Sequence, residues 1–133
     1  MTDEYESIDL ELEKLVFLFN AGEGNPGIYE LTWELGYYNL SIEDKYKVAH
    51  ELLTILLKDE LITLDKYTDT TLKNKMETIP LDRSQVILNN PSFWYPCDEI
   101  FSITLTEKGD KYLNENVLLY GDRFTERMLG KKR

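Results

Sequence analysis

The chain has 133 residues, 42% of them apolar, and 15 basic against 25 acidic side chains, for a formal charge of −10. That length suits one domain with its own core and is too short for a barrel enzyme. One cysteine and one histidine exclude an intrachain disulfide and a Cys/His zinc site, which needs about four such ligands together.

Ile8, Leu12, Leu15, Val16 and Phe19 fall on one helical stripe, widened by Leu10, Phe17 and Leu18. This spacing predicts a largely buried first helix over 8–19. Asn20 to Gly27 holds three glycines and a proline and is expected to stop it. The segment lacks the Gly-Lys-Ser/Thr ending of a phosphate-binding loop and follows no strand, so it implies no nucleotide site. Ile28, Leu31, Thr32 and Leu35 predict a second helix at about 28–36, closed by Gly36. Ser41-Ile42-Glu43-Asp44 reads as a capping box opening a third helix at about 42–59, with Ala49, Leu52, Leu53 and Leu56 inward.

Leu61 to Tyr67 reads as a strand. In Ile100 to Leu105, apolar Phe101, Ile103 and Leu105 alternate with Ser102 and Thr104, which predicts a second strand. A structureless connection over 68–99 would be unusually long. A short helix Arg83–Leu88 capped by Asp82, and the aromatic run Phe93-Trp94-Tyr95, are expected to pack there. Thr106 is placed to cap a helix from Glu107 to Tyr120, with Gly109 weakening its first turn. A last helical stretch is expected around 123–129, ahead of a frayed basic tail at 130–133.

Charge is uneven along this single predicted domain. Residues 1–122 hold ten basic and 24 acidic side chains, a net of −14, whereas the last eleven residues hold five basic groups. Such a body repels a nucleic-acid backbone and suits a basic protein partner. No stretch of 18 apolar residues occurs, and the acidic Met1 to Glu6 start is unlike a secretory signal. A cytoplasmic protein without membrane contact is expected.

The passages Ala49 to Ile62, a helix running into a strand, and Ile103-Thr104-Leu105-Thr106-Glu107-Lys108-Gly109-Asp110-Lys111-Tyr112-Leu113, a strand entering a helix, resemble winged helix-turn-helix domains. The resemblance spans roughly residues 8–113 and is to small uncharacterised bacterial proteins on that scaffold. It implies an α+β fold of three N-terminal helices, a two- or three-stranded antiparallel wing carrying the long 68–99 insertion, and a C-terminal helix. Three departures stand out. Glu60 occupies the position before Leu-Ile where such domains usually carry glycine. The wing is long. The third helix from Ser41 to Asp59 has three lysines, no arginine and four acids, a net of −1, whereas DNA-reading faces are normally basic.

Among single residues, His50 has the pKa of a general base but no Ser or Cys nearby in sequence, so it reads as a partly exposed helix histidine. Cys97 sits beside Asp98 and Glu99, whose charges oppose thiolate formation. No catalytic residue, cofactor or metal ligand is indicated. The expected activity is non-enzymatic: protein contacts or self-association, with Trp94, Tyr95, Tyr37 and Tyr38 as aromatic anchors. Trp33 lies off the Leu31/Leu35 stripe and covers either another helix or the surface. The alternative is a DNA-binding regulator using Lys45, Lys47 and Lys58 on the third helix.

Overall fold

The computed structural model describes residues 8–24, 26–67, 75–94 and 100–130. Helix α1 runs from Leu10 to Gly24, α2 from Ile28 to Trp33 with a 3₁₀ turn Glu34–Tyr37, and α3 from Ile42 to Lys58. Strands β1 (Ile62–Tyr67) and β2 (Lys75–Ile79) follow, then α4 (Leu81–Leu88) and a 3₁₀ turn Pro91–Trp94. Strand β3 (Ile100–Leu105) leads into α5 (Glu107–Tyr120) and α6 (Asp122–Gly130). The expected α+β layout is thus present, with a helix inserted between strands and further helices after the sheet.

α1 is the centre of the core. Every residue from Leu12 to Leu18 is buried, Glu13 and Lys14 included. A helix buried around its whole circumference has protein on all sides. It continues through Asn20 to Gly24, where the loop-forming residues predicted a stop. Ala21 is buried, the Asn20 side-chain amide donates to Val16 O at 2.9 Å, and Gly22 lies so close to β3 that an added Cβ would meet Leu105 at 3.1 Å. Packing on β3 overrides the local preference.

In α3 the N-cap is as expected, with the Asp44 N–H donating to Ser41 Oγ at 3.1 Å. The inner stripe of Ala49, Leu52, Leu53 and Leu56 is fully buried. Each such leucine contributes on the order of 1.5–3 kcal/mol by leaving water. The sheet has the order β2-β1-β3, antiparallel throughout. β1 and β3 pair as predicted, with Leu64 opposite Ile103 on the core side. Asp65 and Ser102, opposite each other on the second face, are buried as well. There Thr104 donates to Asp65 Oδ2 at 2.5 Å and Ser102 to Pro26 O at 3.3 Å. The Ile103 N–H also reaches Pro26 O, at 2.8 Å, so the loop after α1 closes the outer edge of β3. α4 starts two residues before the expected Arg83, with Pro80 at its N-cap. Asp82 lies inside the first turn instead of capping it.

Glu60 solves the turn from α3 to β1 at a cost. Its φ is 63°, in the left-handed region. The Glu60 N–H donates to Leu57 O at 3.1 Å and the Leu61 N–H to Leu56 O at 2.9 Å, the paired bonds of a Schellman ending. The turn is therefore the one glycine usually makes, built with a residue whose Cβ opposes it. Glu60→Gly should stabilise the protein by about 0.5–1 kcal/mol, strain relief outweighing the extra unfolded-chain entropy. Urea unfolding of the two proteins would measure this, and a loss of stability would refute it.

Candidate interaction surface

The buried stripe of α3 fixes which residues face outward. Glu43, Lys47, Glu51 and Lys58 are exposed along one line, and their signs alternate. Lys47 and Lys58 lie about 16 Å apart along the helix axis. Lys45 is half-buried and, two residues from Lys47, sits about 160° around the helix from it. The three lysines do not converge on one face. The insertion occupies one flank of α3. There the Tyr46 and Trp94 rings meet edge to face at 5.4 Å, and His50 Nε2 hydrogen-bonds Asn89 Oδ1 at 2.8 Å. His50 is half-buried by this contact.

The predicted aromatic anchors are distributed differently from expectation. Trp94 is only 5% exposed, and its indole N–H donates to Leu88 O at 2.9 Å. It is a plug between the insertion and α3, which corrects its role as an exposed anchor. Tyr38 is half-buried and its hydroxyl donates to Glu13 Oε2 at 2.6 Å, so it too is turned inward. Tyr37 keeps 39% of its surface, with its ring against the Arg127 guanidinium at 4.3 Å. Tyr95 and Cys97 lie outside the described residues.

Among the described residues the most exposed aromatic is Trp33, at 75%. Its off-stripe position allowed this, but the sequence could not choose between a neighbouring helix and the surface. Trp33 meets Tyr29 edge to face at 6.3 Å. With Thr32, Ile42, Lys45 and Tyr46 it lines an open depression of about 450 Å³ beside the start of α3. Ile42 is 71% exposed there. Single exposed apolar residues are ordinary on protein surfaces. Two large ones around the same depression form a patch, and patches mark contact sites.

The two described basic residues of the C-terminal run, Arg123 and Arg127, are committed to the fold. Arg127 is buried and clamps Glu13 through two bonds of 2.8 Å, with a third at 2.7 Å to Glu34 O. Arg123 pairs with Asp9. Both carboxylates belong to the acidic entry of α1, so this run neutralises α6 and is not simply a solvated surface. Burial works against the charged Arg127, yet the hydrogen bonds and charge of Glu13 outweigh it and hold the guanidinium pKa above its usual value. Burial, helped by Glu13, raises the Tyr38 hydroxyl well above the ordinary tyrosine range. The tail residues 131–133 lie outside the described residues.

Among the described residues, no group of three or more His, Cys, Asp or Glu side chains is arranged to hold a metal ion. No helix among them is long and apolar enough to cross a membrane. No protein-family model matches the chain, and neither a curated protein nor a solved structure matches it.

Proposed function

We propose that this chain is a cytoplasmic, non-enzymatic binding module of winged-helix kinship that acts through protein contacts. The observation that carries this reading is the exposed pair Trp33 and Ile42 around one depression at the start of α3. A tryptophan that packs into a partner is a typical source of binding energy, often 2 kcal/mol or more. The −14 charge of residues 1–122 favours a basic partner and speeds its encounter. The interleaved signs along the outer face of α3 weigh against its use as a DNA-reading helix.

A photo-cross-linking side chain placed at position 33 in cells tests the reading. A discrete adduct to a protein is expected there, absent when the same group replaces Glu51 and lost on Ile42→Asp. Adducts chiefly to nucleic acid, or equal labelling from both positions, would contradict it.

A further inference from the structure

On the insertion side of α3 lies a second depression, a cleft of about 400 Å³ lined by Tyr46, Lys47, His50, Leu88, Pro91 and Trp94. It shares Tyr46 with the depression beside Trp33, and its other lining residues are different. We propose that this cleft binds a small planar carboxylate, its ring against Trp94 and Tyr46 and its anionic group at Lys47.

The volume lies within the range of small-ligand pockets, and the walls are of the kind such pockets have. Leu88 and Pro91 add apolar wall, Trp94 keeps 5% of its surface, and the half-buried Tyr46 ring that meets it edge to face at 5.4 Å supplies the main aromatic contact for a flat ring. Two polar atoms of the lining are already engaged. The Trp94 indole N–H is held by Leu88 O at 2.9 Å, and His50 Nε2 by Asn89 Oδ1 at 2.8 Å. These bonds also fix both rings before any ligand arrives, which lowers the ordering cost of binding.

Charge selects the rest of the ligand. His50 Nε2 is already bonded to Asn89 Oδ1, and among the described lining residues only Lys47 carries a fixed positive charge. Lys47 is therefore the donor at the rim. It is exposed and makes no ion pair with any described residue, although Glu43 and Glu51 lie one helical turn away on either side. No carboxylate is among the described residues that line the cleft. On a chain carrying −10 overall, this is a local cationic group beside an apolar slot. An apolar acid satisfies both, whereas a neutral analogue satisfies only the slot.

Titrating the ¹⁵N-labelled full chain with 2-naphthoate, and separately with 2-naphthylmethanol, tests the assignment by amide and indole shifts. The acid should bind saturably with a dissociation constant below about 1 mM, with the largest shifts at the Trp94 indole, His50 and Leu88. The alcohol should bind about three- to fivefold more weakly, the worth of one exposed charge pair. Lys47→Gln, a substitution at an exposed position, should erase that preference, so that acid and alcohol bind with equal affinity. Four results would overturn the proposal: no saturation at several millimolar, equal binding of acid and alcohol, a preference surviving Lys47→Gln, or shifts centred on Trp33 and Ile42.

Discussion

Exchanging Arg127 for leucine should lower the free energy of unfolding by about 3–5 kcal/mol. The guanidinium and the Glu13 carboxylate are 2% and 0% exposed, so each neutralises the other away from water. Removing the cation leaves a carboxylate in the core with only the Tyr38 hydroxyl as a described partner. It also strips Glu34 O of a donor and Tyr37 of the cation over its ring. The loss arises mainly from the orphaned charge and is not a measure of what the pair contributes, because bringing both charges inside was itself unfavourable. The double change Glu13→Leu with Arg127→Leu should therefore recover at least about half of the deficit, since no uncompensated charge remains. Urea unfolding followed by circular dichroism separates these cases. A loss under about 1 kcal/mol for Arg127→Leu would contradict this, since Glu13 would then not be left as a costly uncompensated charge.

Gly109→Ala should destabilise the protein by about 3 kcal/mol or more. In an ordinary helix the same change is favourable by about 1 kcal/mol, so the sign itself is diagnostic. A Cβ at this position would stand 2.0 Å from Leu61 O and 2.8 Å from Leu105 Cδ1. The first contact is with backbone that cannot move independently. Leu61 O accepts the Thr106 N–H at 3.1 Å, the Thr106 hydroxyl donates to Glu60 O at 2.8 Å, and the same hydroxyl caps α5 by accepting from the Gly109 N–H at 2.9 Å. The end of α3 and the start of α5 thus share one junction, which accounts for a glycine three residues after the cap at Thr106. Gly36→Ala is the control: nothing lies within 4 Å of its added Cβ, and its effect should stay within about 0.5 kcal/mol.

That junction also marks where reading the sequence succeeds and where it stops. Thr106 was legible as a cap because capping needs only neighbours in sequence. Gly109 looked like a weak point of the helix, because the backbone it must admit belongs to Leu61. The inner stripe of α3 and the alternation in β3 were legible for the same local reason. Asn20 to Gly24 has the composition of a loop and is helix, since the close approach of Gly22 to Leu105 of β3 cannot be seen from residues that individually favour turns. β2 gave almost no signal: in Lys75–Ile79 only Ile79 is buried, and edge strands are often charged and short. The burial of Trp94 depends on where the insertion lands, and the inward turns of Tyr38 and Arg127 depend on Glu13 of α1, which is distant from both in sequence.

The account rests on α3 being a helix that does not read DNA, and titrating the purified chain against a pool of random duplexes at about 150 mM salt tests it directly. Weak, sequence-blind binding is expected, falling further when residues 131–133 are removed. Those residues are the ones to remove, because Arg123 and Arg127 belong to the fold. Recovery of a defined sequence motif bound at nanomolar affinity, and weakened by changing Lys45, Lys47 or Lys58, would contradict it.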